Sequence, residues 1–128
     1  MHDDTDKGIA LVIEDSEDNR VLIGALLKRG GYRIIEATTG RSGYDLAIQH
    51  QPELIILDIQ LPDMSGIDVL KMIRSSGSNG SLPVIAMTSY AMSGDREKLL
   101  AAGCTGYIEK PIDPMTVLDQ INVILGHS

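Results

Sequence analysis

The sequence predicts a doubly wound α/β fold, with five parallel strands in the order 2-1-3-4-5 alternating with five helices. Three observations carry this expectation. Apolar runs of strand length alternate with segments of helical period from one end of the chain to the other, the pattern of linked β-α-β units. Three of those runs are apolar at every position, as strands covered on both faces must be. The second and fifth runs carry Arg33, Glu36 and Glu109, charges that suit the edges of a sheet.

Taken in order, "IALVI" (Ile9–Ile13) is the first strand. "SEDNRVLIGALLKRGG" follows as a helix with Leu22, Ala25 and Leu26 on its inner face and Gly30-Gly31 as its stop. "YRIIEA" is the second strand, and "GRSGYDLAIQHQ" is a helix expected to bury Tyr44, Ala47 and Ile48. The third strand is "LIIL", ending on Asp58. "SGIDVLKMIRSS" places Gly66, Val69, Leu70 and Ile73 on one helical face, before the loop "GSNGS". "LPVIAM" is the fourth strand, "SGDREKLLAAG" a short polar helix, and "GYIE" the fifth strand. The last helix has the cleanest period: Val117, Leu118, Ile121, Ile124 and Leu125 line one side and Gly126 ends it.

Length and composition narrow the function. At 128 residues the chain is one domain over 1–128, with a polar tail over 1–7. Its only aromatics are four tyrosines, so aliphatic side chains must build the core. No run approaches the ~18 apolar residues of a membrane span, and the acidic opening "MHDDTDKG" is the opposite of a signal peptide. Cys104 is alone, which rules out a disulfide framework or a thiolate metal cage. A net charge of -7 repels nucleic-acid phosphates and anionic membranes. The expectation is a soluble cytoplasmic domain with no direct nucleic-acid partner and no membrane association.

Ligands of such folds bind beyond the carboxyl ends of the strands, where the chain reverses direction across the sheet. The residues there form a short set: Glu14 and Asp15 after the first strand, Asp58 at the third, Thr88 and Ser89 at the fourth, and Lys110 before Pro111 after the fifth. The second strand ends in Ala37-Thr38, with nothing ionisable. Three carboxylates close together repel one another unless a cation neutralises them. Mg²⁺ suits a site of few carboxylates plus waters and phosphate oxygens, with Mn²⁺ as the alternative ion. Two charges from the metal and one from Lys110 would balance the three carboxylates. A phosphoryl group could then be held by the metal, Lys110, the Thr88 hydroxyl and backbone N–H groups. Gly66 and the small Ser89 leave room for its approach.

Each feature has a plain structural explanation by itself. Asp58 beside a proline can be a turn residue, Glu14, Asp15 and Thr88 can cap helices, and Lys110 can be a solvated charge. Their coincidence on one rim favours a site. The histidines do not compete: His2 and His127 lie in terminal tails, His50 ends a helix, and no spacing suits zinc. The phosphate loop GxxxxGK[ST] is absent from the sequence, as is GxGxxG after the first strand.

Four segments in this order and spacing, "LVIEDSEDNR", "LIILDIQLPDMSG", "IAMTSYAMSGD" and "GCTGYIEKPI", resemble response-regulator receiver domains of two-component signalling, over nearly the whole chain. The stretch "SYAMSGDREKLLAAGCTGYIEKPI" is most similar to stand-alone receivers and to those attached to hybrid histidine kinases. The resemblance implies a flavodoxin-like fold and a phosphoacceptor switch. It makes Asp58 the phosphoacceptor, gives Lys110 and Thr88 contacts to the phosphoryl group, and makes Tyr107 the aromatic switch. Mg²⁺ would be bound by Asp15, Asp58 and the backbone carbonyl of Gln60, with Glu14 acting through water. Gln60 and Tyr90, two residues past Asp58 and Thr88, would tune dephosphorylation. The Lys110-Pro111 bond would be cis. Glu14 stands where Asp is commonest, Leu61 replaces a frequent Met and Ser89 a frequent Ala, and none of these removes a required group.

The implied donor is a histidine kinase or a histidine phosphotransfer protein. The implied reader is a downstream protein that senses a surface of the fourth helix, fifth strand and fifth helix. No enzymatic activity is expected beyond the domain's own phosphorylation and dephosphorylation. The end of the chain after the fifth helix favours a stand-alone relay. Two other classes share features. A haloacid-dehalogenase-type phosphatase also uses an Asp nucleophile, but it requires a second Asp where this chain has Gln60. A flavodoxin-like cofactor-binding domain wants a hydroxyl-rich phosphate loop after the first strand, where "EDSEDN" would repel a flavin phosphate.

Overall fold

The computed structural model describes residues 6–77, 79–89 and 93–126. The strands β1 (Ile9–Ile13), β2 (Arg33–Ala37), β3 (Leu54–Asp58), β4 (Val84–Thr88) and β5 (Gly106–Glu109) make one parallel sheet in the order β2-β1-β3-β4-β5. Every residue of β3 and β4 is buried, as is all of β1 after Ile9. The edges expose Arg33, Glu36 and Glu109, the charges that placed β2 and β5 there.

Side chains alternate across the sheet and divide the core in two. Ala10, Val12, Leu54, Ile56 and Met87 face α1 (Glu17–Arg29) and α5 (Val117–Ile124). Leu11, Ile13, Ile55, Leu57 and Ala86 face α2 (Gly40–His50), α3 (Gly66–Arg74) and α4 (Ser93–Ala101). No helix among the described residues is long and apolar enough to cross a membrane. The last two residues of the expected tail are tied down: the Lys7 N–H donates to Gly31 O at 2.9 Å, and Asp6 faces Arg33 at 3.7 Å.

Two helical faces differ from expectation. In α1 the buried residues are Ile23, Gly24, Leu26 and Leu27, with Leu22 partly covered and Ala25 exposed. "VLIGALL" is apolar nearly all round, so its period alone did not select a face. Gly24 lies on the face that meets Ile34 and Glu36 of β2 at ordinary contact distance. In α2, Gly40, Gly43 and Ala47 are buried, Tyr44 is half-buried and Ile48 is exposed. The cause is close approach: a Cβ on Gly43 would come within 2.5 Å of the Ile13 side chain. The small residues therefore turn inward and Ile48 is left outside. The faces of α3 and α5 are as predicted.

The loop after β3 closes at its base. The Gly66 N–H donates to Ile59 O at 2.8 Å, and Gln60 and Ser65 form an antiparallel bridge. A Cβ on Gly66 would overlap the Asp58 carbonyl oxygen and come within 2.7 Å of Ile59 Cα. Gly66→Ala should therefore cost about 1–3 kcal/mol through overpacking, read from the urea midpoint. An unchanged midpoint would show that the loop yields freely.

Candidate functional site

Register brings the predicted rim residues together. Ile13 pairs with Leu57, so Glu14 and Asp58 leave the sheet side by side. Met87 pairs with Asp58 and Thr88 with Glu109, which sets Lys110 one residue beyond Thr88. The Lys110 N–H donates to Thr88 O at 2.9 Å, and the Lys110-Pro111 peptide is cis.

Lys110 then reaches back across the mouth of the sheet. Its Nζ lies 3.0 Å from Glu14 Oε1 and 3.2 Å from Asp58 Oδ1. The Gln60 N–H donates to the same Asp58 Oδ1 at 3.0 Å, so two donors fix one oxygen and leave Oδ2 outside these contacts. Glu14 and Asp58 are buried, whereas Asp15 beside them is exposed. Burial drives the Glu14 pKa up to about 7, with Asp58 adding to the rise and Lys110 opposing it. For Lys110 burial acts downward, but its contacts with Glu14 and Asp58 outweigh burial and raise the pKa.

The site suits a hard divalent cation. Glu14, Asp15 and Asp58 each offer an oxygen within 4.8 Å of the others. That is close to the ~4 Å across an octahedral ion with bonds of about 2.1 Å. Glu14 Oε1 is buried beside the ammonium without a well-directed hydrogen bond from any described group. An oxygen-only donor set and surplus negative charge suit Mg²⁺.

The family model for the response regulator receiver domain matches residues 10–122. The chain belongs to that family. The polar-differentiation response regulator DivK of Brucella anthropi is 40% identical to this receiver over 116 residues, 91% of this chain and 94% of DivK. In structure the receiver is similar to the chemotaxis response regulator CheY4 of Vibrio cholerae. That likeness has a TM-score of 0.87 at 26% identity and covers 91% of this chain and 98% of the other. The receiver domain of a Pseudomonas aeruginosa sensor histidine kinase, with a magnesium ion coordinated in its active site cleft, is 30% identical. Its TM-score is 0.81, over 92% of this chain and 97% of that one.

The receiver's remaining predicted site residues fall in two places. Thr88 is buried at the end of β4, while Ser89 and Gln60 are exposed at the rim. Tyr107 pairs with Ala86, two residues before Thr88, so Thr88 and Tyr107 share a face on adjacent strands. The half-buried Tyr107 ring lies 5.3 Å from the Arg96 guanidinium of α4. On the α5 side it borders a groove of about 420 Å³ with Thr116, Gln120, Val123 and Ile124. Tyr90 lies outside the described residues.

Sequence reasoning misses Arg20. Its Nη1 donates to the Glu14 carbonyl at 3.1 Å and to the Asp15 carbonyl at 3.5 Å, and its Nε faces Glu36 of β2 at 3.6 Å. The guanidinium holds the backbone of the acidic pair and leaves the carboxylates free for other partners. A signal was present: a cation in the opening turn of an otherwise acidic helix start runs against the helix dipole.

Proposed function

We propose that this receiver is a phosphoacceptor switch that takes a phosphoryl group from a phosphohistidine onto Asp58. The reading is carried by Lys110, which spans from Glu14 to Asp58 and holds an oxygen of a buried carboxylate at the switch point of the sheet. An Asp58 oxygen attacks phosphorus, the bond from phosphorus to the imidazole nitrogen breaks, and its electron pair stays on that nitrogen. Little other covalent chemistry is needed, so positioning and charge neutralisation supply the catalysis. Lys110 and the Gln60 N–H orient the carboxylate. Mg²⁺, or Mn²⁺ in its place, would be held by Asp15, Asp58 and the Gln60 carbonyl, with Glu14 acting through water. Its chemistry there is to neutralise the carboxylates and the incoming phosphoryl oxygens.

Family membership supports a histidine kinase or histidine phosphotransfer protein as donor. The receiver acts as catalyst only for its own phosphorylation and dephosphorylation, and Gln60 at the rim orients the water that ends the signal. Thr88 turns toward the new acyl phosphate, Tyr107 moves inward, and the surface of α4, β5 and α5 changes its affinity for a downstream protein. The shared face of Thr88 and Tyr107, and the placement of the ring between Arg96 and α5, support this coupling.

Acetyl phosphate with Mg²⁺ should add one phosphoryl group, seen by intact mass and lost to hydroxylamine as acyl phosphates are. A protein that stays unlabelled, or a label that survives hydroxylamine, would refute the reading. Thr88→Ala should still accept the group but fail to pass the change on. An amide shift map with beryllofluoride, an acyl-phosphate mimic, should show movements in α4 and β5 that are less than half the parent's. Equal movements would remove Thr88 from the coupling.

A further inference from the structure

Asp63 stands in the loop from β3 to α3, yet its carboxylate is bonded to a different helix. Oδ1 accepts the Gly40 N–H at 2.7 Å and Oδ2 accepts the Arg41 N–H at 2.9 Å. These are the first two residues of α2, and its next unpaired donor, the Ser42 N–H, is taken by Thr39 Oγ1 at 3.1 Å. The Arg41 and Gly40 N–H groups hold the Asp63 carboxyl below its usual range, as short charge-assisted bonds do.

Packing reinforces the tie. Met64 is seated on Gly40, where a Cβ would come within 2.6 Å of Met64 Cγ and 2.8 Å of Val69 Cγ2. One turn on, Gly43 receives Ile13, the residue before Glu14. The start of α2 therefore rests against both segments that carry the acid cluster. The β3–α3 loop is closed at its base by the Gly66 N–H on Ile59 and at its tip by Asp63 on α2. Between base and tip lies Gln60, whose N–H donates to Asp58 Oδ1.

We propose that Asp63 is a positioning residue for phosphoryl acceptance: it ties the loop to α2 and so keeps Gln60 where it orients Asp58 and can offer its carbonyl to the metal. The proposal rests on the phosphoacceptor reading. Asp63 is not part of the three-carboxylate cluster and acts through the loop. Its loss would remove both hydrogen bonds from the tip and leave residues 60–64 held by the base and by the packing of Leu61 and Met64. A displacement of about 1 Å at a reacting group can cost on the order of a hundredfold in rate.

The test compares the parent with Asp63→Ala, Asp63→Asn and Thr39→Ala, all in the full chain. The readouts are Mg²⁺ affinity by calorimetry, the initial rate of labelling by acetyl phosphate at saturating Mg²⁺, and the thermal midpoint. Asp63→Ala should weaken Mg²⁺ by about threefold to tenfold and slow labelling by about tenfold to a hundredfold. Asp63→Asn, whose amide oxygen accepts one of the two N–H groups while its NH₂ faces the other donor, should fall between Asp63→Ala and the parent in both. Thr39→Ala removes a cap from the same helix without touching the loop, so it should lower the midpoint and leave affinity and rate at parent values. Parent-like labelling and Mg²⁺ binding in Asp63→Ala would overturn the proposal. An equal loss of affinity and rate in Thr39→Ala would assign the effect to helix stability and also overturn it. If the parent takes no label, the phosphoacceptor reading fails, and the Mg²⁺ measurement alone decides on Asp63.

Discussion

Asp58→Asn should abolish the phosphoryl label while leaving the protein at least as stable as the parent. The amide keeps the shape of the carboxylate, and its oxygen can still accept the Gln60 N–H that now reaches Oδ1 at 3.0 Å. It has no nucleophilic oxygen anion, so the adduct should fall to background. Stability should not fall with it, because one of three clustered carboxylates is neutralised. Asp58 helps to raise the pKa of Glu14, so Glu14 in the variant should ionise at lower pH and remain paired with Lys110. Mg²⁺ should bind more weakly, having lost a charged ligand. The checks are intact mass after acetyl phosphate and a thermal scan without metal. Undiminished Mg²⁺-dependent labelling would move the acceptor elsewhere; a collapse of the thermal midpoint would mean that the lost label reports unfolding.

Mg²⁺ affinity should rise about tenfold between pH 6 and pH 8, and Asp15→Ala should remove most of it at either pH. The sign follows from Glu14, whose pKa of about 7 in the metal-free fold lies above its ordinary 4.5. At pH 6 about nine-tenths of that carboxyl is protonated and must lose its proton before it can serve a cation; at pH 8 about one-tenth is. The same shift sets the stability of the metal-free protein. A raised carboxyl pKa contributes stability that is complete below about 4.5 and is lost as the pH rises through about 7. Stabilisation by Mg²⁺ should therefore be smallest at pH 6 and largest at pH 8. Glu14→Gln should flatten both trends, because the titrating group is gone. Asp15 is exposed, so its removal should cost little stability while deleting a direct ligand. Calorimetric titration at the two pH values checks the affinity. A flat profile in the parent would show that Glu14 is already ionised at pH 6, and equal affinity in Asp15→Ala would make the acidic pair a helix cap only.

How far the site was legible depends on the range of the physics behind each residue. Asp58, Glu14, Asp15, Thr88 and Lys110 could be named because each follows a recognisable strand, and the strand order fixes which rim they share. Gly66 could be named from its place after the loop, although the reason for it, the Asp58 carbonyl directly beneath, needs coordinates. Arg20 showed in the sequence only as a cation set against the helix dipole; that it holds the Glu14 and Asp15 carbonyls, with Glu36 beside it, needs coordinates. Asp63 went unread because its partners are main-chain N–H groups 22 and 23 residues away. The inner faces of α1 and α2 were misjudged for a related reason. Period favours large apolar residues, but the contact of α2 with the sheet was decided by Gly43, which has no side chain to repel Ile13, and α1 is apolar nearly all round.

By itself, the sequence determined the sheet order and the chemical groups on its rim. Alternation, doubly apolar runs and edge charges are local properties, and parallel connections carry every strand's carboxyl end to one side. Only the tertiary structure decided how those groups divide the work. Glu14 is buried beside Lys110, whereas Asp15, the next residue, is exposed. One Asp58 oxygen is held from two sides, by Lys110 at the far edge of the sheet and by Gln60 in the same loop. That loop is moored to α2 through Asp63. Each of these is a matter of ångströms between segments distant in the chain, and such distances are set when helices settle on the sheet, by glycine contacts and backbone bonds that residue type does not encode.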